Sequence, residues 1–185
     1  MEYTINTCWA VVTAELISAI RFILKYDTKY TEGLDFILDG RIPTEAPTYR
    51  PQKDDPHAHI ASVERLTYVD EMLYHLQFHP IGAFLAVFLP DYSTGVYRGP
   101  TSIDSEYKCP HAVSIYAIEV VDGETIALVK STHGTELGDM GYFRVSLDTM
   151  LVEVPYKGKN AHPDFAQPCS LLSRFCFPKL PPREV

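Results

Sequence analysis

The chain has 185 residues, a net charge of −8 at pH 7, 46% hydrophobic residues, 12 tyrosines and 9 phenylalanines. That length is enough to bury a real core in one compact domain. The acidic balance, with no basic stripe among the aromatics, argues against a nucleic-acid surface.

From Cys8 to Leu24 the chain is almost evenly apolar, broken by Thr13, Glu15, Ser18 and Arg21. Such a run is too long for an ordinary strand and too evenly apolar for a surface helix. It predicts a helix buried on most sides and ending near Tyr26 and Asp27. Thr7 is the expected N-cap. A cysteine in the first turn meets unpaired backbone N–H groups and the positive end of the helix dipole, both of which favour a thiolate. Met1 stands so close to Cys8 that no signal peptide or pro-segment is expected between them.

A polar link from Thr28 to Gly33 leads to a short helix, Leu34 to Leu38, with Gly40 as its stop. Residues Arg41 to Pro56 carry four prolines and predict an extended loop anchored by Ile42 and Tyr49. Ile60 to Leu66 reads as a strand. Val69 to Phe78 has helical periodicity, with Val69, Met72, Leu73 and Leu76 on one face. Ile81 to Leu89 has the length of a buried strand, followed by a turn over Asp91 to Gly95.

His111 to Ile118 opens a second set of strands. Asp122-Gly123 supplies the positive φ that a tight hairpin needs, and Thr125 to Lys130 returns. Gly134, Gly138 and Gly141 punctuate a loop before the strand Tyr142 to Leu147. A last strand is expected over Leu171-Leu172 and Phe175 to Phe177, and the proline-rich end should drape over the surface. Helices first and antiparallel strands afterwards make the class α+β. Residues 1–185 read as a single domain, helical over 1–65 and mainly β over 66–185.

Two side-chain groupings could bind metal. Glu71, His75 and His79 follow one another at helical spacing, but this is not the HExxH pattern and reads as a solvated helix face. The four cysteines, Cys8, Cys109, Cys169 and Cys176, include no CxxC pair, so no structural zinc site and no metal is assigned.

Several short blocks recur in an order that resembles one family. Cys8-Trp9-Ala10 opens a long apolar helix and His111-Ala112-Val113 opens a strand. Val129 to Thr135 is followed by Gly138-Asp139-Met140-Gly141-Tyr142-Phe143-Arg144-Val145. Between them stand Ile42-Pro43-Thr44-Glu45, Pro80 to Phe84 and Tyr92 to Tyr97, and Cys169 to Pro178 closes the series. The whole resembles the papain-like cysteine peptidases.

The resemblance implies a two-lobe fold, with a long central helix starting at Cys8, an antiparallel barrel-like β lobe and a cleft between the lobes. It implies Cys8 as nucleophile and His111 as general acid and base. Ser131 stands where the family has the asparagine that orients the histidine. Glu2 stands where it has the oxyanion-hole glutamine, a loss that costs roughly 10²- to 10³-fold in other acyl-transfer enzymes. His133 replaces the shielding tryptophan, so a wetter and more loosely held His111 is expected. Trp9, Phe84, Pro110, Ala112 and His133 fall at substrate-binding positions. The family's cysteine- and glycine-rich cleft wall has no counterpart, because Tyr26 runs almost directly into Thr31-Glu32-Gly33. The family pattern further implies a Cys109–Cys169 disulfide, with Cys176 left as an odd thiol.

The function expected from this resemblance is a thiol peptidase of impaired activity. The alternative is a catalytically weak or inactive homologue that binds peptides or proteins, and a third possibility keeps the thiolate for another acyl transfer. No cofactor is called for. The expected partners are a peptide or protein substrate and a protein inhibitor or pro-segment, with no nucleic acid, no membrane and a monomeric chain. Family members work in secreted, vacuolar or lysosomal settings.

Overall fold

A computed structural model of the chain describes residues 8–24, 60–92, 95–102, 104–133, 135, 138–152, 154, 165 and 167–182. Glu2, Thr7, the 28–56 link and the final residues 183–185 lie outside the described residues. Among the described residues, two helices and nine strands run in the order α1 (Cys8–Ile23), β1 (Ser62–Leu66), α2 (Val69–Leu76), β2 (Ile81–Leu89), β3 (Val96–Tyr97), β4 (Glu106–Val121), β5 (Glu124–Ser131), β6 (Tyr142–Ser146), β7 (Met150–Leu151), β8 (Cys169–Ser170) and β9 (Leu172–Lys179). The class is α+β.

Seven strands form one sheet in the order β1-β9-β2-β4-β5-β6-β3, and β7 pairs with β8 apart from it. The β3–β6 pairing is parallel, and the other strand pairings among the described residues are antiparallel. The β4–β5 hairpin turns at Asp122 (φ 52) and Gly123 (φ 84), both left-handed as a two-residue reversal requires. Central β2 is apolar throughout because both its faces are covered. One faces the main core of Leu85, Val113, Ile115, Val129 and Val145. The other meets α1 so closely that a Cβ on Gly82 would stand 2.9 Å from Leu16 Cδ1. In α2, Met72 is fully buried. Glu71 Oε2 accepts the backbone N–H groups of Thr67 (2.8 Å) and Tyr68 (3.1 Å), so this carboxylate ties down the helix start. The His75 and His79 rings lie 4.8 and 4.3 Å from the ring of Phe177.

Two expectations are corrected here. Helix α1 is buried along one stripe only, formed by Val12, Glu15, Leu16 and Ile20. Trp9 is 60% and Phe22 76% exposed. An even run of apolar residues reports how much hydrophobic side chain is present. It does not report how many faces find a partner.

The Cys109–Cys169 disulfide does not form, and all four cysteines are free thiols. Cys109 lies on β4 opposite Val87 of β2. Cys169 precedes Leu171, whose carbonyl accepts the Ala86 N–H (2.9 Å) on the other flank of β2. A strand therefore lies between the two thiols. Two strand spacings come to about 9.5 Å, against a limit of about 7 Å between bridged Cα atoms.

Candidate active site

The site is built around β4, whose successive side chains point to opposite faces of the sheet. Ala112 and Ser114 face α1. His111, Val113 and Ile115 face the other way.

On the α1 face, Val12, Leu16 and Ala112 form a small buried cluster, with Cys8 and Phe84 packed against it. Cys8, Val12 and Leu16 recur at four-residue spacing, so the half-buried thiol continues the helix's buried stripe. Phe84 sits directly opposite Ala112 in the β2–β4 register. The Arg174 guanidinium lies over its ring, 5.6 Å from the centroid. Trp9 and Pro110 are exposed beside this cluster.

Between Val12 and Leu16 on α1, Glu15 is buried at 3% exposure. Its Oε1 pairs with Lys130 Nζ (2.9 Å), and its Oε2 accepts the Ser114 hydroxyl (3.2 Å). In the sequence this carboxylate is one interruption of the apolar run. The signal was present, because a lone acidic residue inside an apolar helical run needs a partner when it is buried.

On the other face, His111 Nε2 lies 3.1 Å from Ser131 Oγ. Ser131 Oγ is also 3.2 Å from His133 Nδ1, accepts the His133 backbone N–H at 3.3 Å and accepts the Tyr92 hydroxyl at 3.4 Å. The His111 and His133 rings stack at 4.2 Å with an interplanar angle of 8°. Tyr92 meets His111 edge-on and stacks on Phe143 at 4.6 Å. In the sequence Tyr92 belongs to the turn over Asp91 to Gly95 and opens the Tyr92 to Tyr97 block, and neither reveals this contact, because its partners lie far away in the chain.

The expectation of a wetter His111 is corrected, for the residue is 4% exposed. A flat imidazole at position 133 covers the histidine by stacking, as another planar ring could. Burial first, and then the neighbouring His133, push the His111 imidazole down to about 3. Burial also pushes His133 down. Both rings are neutral at pH 7.

The structure thus brings His111, Ser131 and His133 together, and separately Cys8, Phe84 and Ala112. It draws no hydrogen bond between Cys8 and His111. Partial burial, then the charge of Cys8, push the Cys109 thiol up. Among the described residues no His, Cys, Asp and Glu side chains cluster as metal ligands, and no helix is long and apolar enough to cross a membrane.

No family model matches the chain. Over 115 residues, 60% of its length, it is 32% identical to the Arabidopsis thaliana protein HEAT-INDUCED TAS1 TARGET 4, of which the match covers 39%. The chain therefore spans about two fifths of the length of the curated relative it matches. Among solved structures it is similar to the bromelain protease of Ananas comosus in complex with the inhibitor E64, with a TM-score of 0.46 and 20% identity over 66% of this chain and 52% of that one. A cysteine protease of Carica candamarcensis in complex with E-64 gives 0.45 and 19%, over 69% and 53% of the two chains. The procathepsin B S9 of Trypanosoma congolense gives 0.47 and 17%, over 66% and 37%. These neighbours are papain-like cysteine proteases at low identity and partial coverage.

Proposed function

We propose that this chain is a papain-like domain that acts as a peptide- or protein-binding module, with its cysteine withdrawn from catalysis. The observation that carries this reading is the seat of Cys8. It packs into the Val12, Leu16 and Ala112 cluster on the α1 side of β4, whereas His111 turns to Ser131 on the other side. A thiol peptidase needs its cysteine and histidine to share a proton within hydrogen-bond reach. A buried, neutral His111 also lacks the imidazolium charge that would hold a thiolate beside it. In this reading the exposed Trp9 and Pro110 offer an apolar contact to a partner chain.

One observation favours the second reading, a working thiol peptidase. His111 Nε2 is held by Ser131 at 3.1 Å, in the place of the family's orienting asparagine. In that case the Cys8 thiolate would attack a peptide carbonyl, and His111 would protonate the departing amine before water released the acyl group.

Alkylation of Cys8 by iodoacetamide across pH, followed by peptide mapping in the full chain and in His111→Ala, separates the two. Equal rates in the two proteins at every pH are expected, together with peptide binding that survives Cys8→Ala. A plateau of Cys8 reactivity in mildly acidic buffer that His111→Ala abolishes would overturn the binding-module reading in favour of the peptidase.

A further inference from the structure

The contacts of a single hydroxyl group decide where the protons of two stacked histidines sit. Ser131 Oγ has one proton to give and two lone pairs to receive with. The His133 backbone N–H, 3.3 Å away, can only donate, and takes one lone pair. The Tyr92 hydroxyl donates as well, but at 3.4 Å it is the longest of the four contacts and well beyond an ordinary O–H···O distance, so it gives way to a nearer ring N–H for the second lone pair. Two ring nitrogens remain, His111 Nε2 at 3.1 Å and His133 Nδ1 at 3.2 Å. The hydroxyl proton can go to one of them, and the other must then bring a proton of its own. Two bare nitrogens would leave one unsatisfied, and two protonated ones would crowd the oxygen with N–H dipoles.

The local geometry selects between the two orders. If His133 Nδ1 carried a proton, that N–H and the backbone N–H of the same residue would both point at one oxygen. If Nδ1 is bare, the backbone N–H donates to Ser131 Oγ and the Ser131 hydroxyl donates back to Nδ1. This is a short closed loop of alternating donor and acceptor, in which each bond polarises the next. His111 must then supply the remaining proton through Nε2.

We propose that His133 is a positioning residue for His111: its Nδ1 takes the Ser131 proton, Ser131 receives the His111 Nε2–H, and His111 Nδ1 is held as a bare acceptor. The fixed order His111 Nε2–H to Ser131 O–H to His133 Nδ1 gives the site one defined chemical preference. Whatever group meets His111 Nδ1 must be a hydrogen-bond donor, such as a backbone N–H. A ligand presenting a carboxylate or carbonyl oxygen there would be rejected. This inference does not depend on whether Cys8 is reactive, since it concerns only the three side chains on the β5 side of the site. It also gives His133 a role that a stacking ring alone could not fill.

The test is the proton position itself. Long-range ¹H–¹⁵N spectra of the full chain labelled at histidine report which nitrogen of each ring is protonated. In the unmodified protein at pH 7, both His111 and His133 should carry their proton on Nε2. Finding it on Nδ1 of either ring would overturn the proposal without any variant. In His133→Phe, which keeps a flat ring to stack but accepts no proton, the two nitrogen signals of His111 should move toward each other as its tautomers mix. In His133→Asn, which restores an acceptor without the stack, they should move apart again. Unchanged His111 signals in His133→Phe, or loss in the asparagine variant with retention in the phenylalanine one, would mean that His133 only covers His111. Loss of peptide hydrolysis or of Cys8 reactivity alone would bear on the proposed function and leave this result unaffected.

Discussion

The two faces of β4 solve the burial of polar groups in opposite ways. Toward α1, an apolar cluster is flanked by one full ion pair, Glu15 with Lys130, steadied by the Ser114 hydroxyl. Toward β5, two imidazoles share one serine hydroxyl beneath a tyrosine. The first arrangement clamps a helix to a sheet by charge. The second holds a ring in one orientation and resists charge. A peptidase of the kind the sequence resembles needs the two faces to communicate, with a thiol from one meeting an imidazole from the other. Here each face is satisfied within itself.

The largest effect should come from breaking the charged clamp. Glu15→Ala leaves Lys130 Nζ, at 16% side-chain exposure, facing an emptied apolar site, and should cost about 3 to 5 kcal/mol in chemical denaturation. The double change Glu15→Leu with Lys130→Met removes both charges and keeps the volume. It should fall within about 1 kcal/mol of the unmodified protein. A double variant as unstable as Glu15→Ala would show that the clamp does more than compensate its own desolvation.

The uncharged face should break with acid instead. The folded value for His111 lies near 3 against 6.5 for an ordinary histidine, so as pH falls the unfolded chain binds the proton first. The stability that this histidine contributes is complete above pH 6.5 and is lost progressively toward pH 3. His133, also lowered by burial, acts in the same direction. The unfolding free energy should therefore drop between pH 7 and pH 4. In His111→Phe that drop should be smaller by about 2 to 3 kcal/mol. Equal slopes in the two proteins would mean that His111 charges without unfolding.

How much of this was legible in the sequence follows from the range of each interaction. The Asp122-Gly123 hairpin, α2 and the apolar strand β2 were all readable, because turn chemistry and periodicity are local. The hairpin of His111 to Ile118 with Thr125 to Lys130 was readable, and Ser131 is found one residue beyond it, at the end of β5 and opposite Val113. The contact of Tyr92 with Ser131 was not readable, since it joins a loop to the far end of a hairpin. The exposed flank of α1 was not readable either, because composition counts apolar side chains and not the surfaces available to receive them. The Cys109–Cys169 bridge failed for a related reason. It was carried over from a family pattern, while Cys109 pairs with one flank of β2 and the segment that follows Cys169 bonds to the other.

The smallest effect, and the one that sharpens the contrast most, concerns Cys8 itself. If the thiol serves the α1 face as a small apolar side chain, Cys8→Ala removes one half-buried sulfur from the edge of the Val12, Leu16 and Ala112 cluster, at a cost of about 1 kcal/mol or less. Cys8→Ser should cost more than Cys8→Ala, since a hydroxyl of similar size would be drawn into apolar surroundings with no partner assigned to it. A side chain whose business lay with His111 would behave in the reverse order, because serine could still hydrogen-bond to an imidazole and alanine could not. Thermal denaturation of the two variants side by side gives that order directly. Serine less stable than alanine places Cys8 with the helix; serine more stable places it with the histidine.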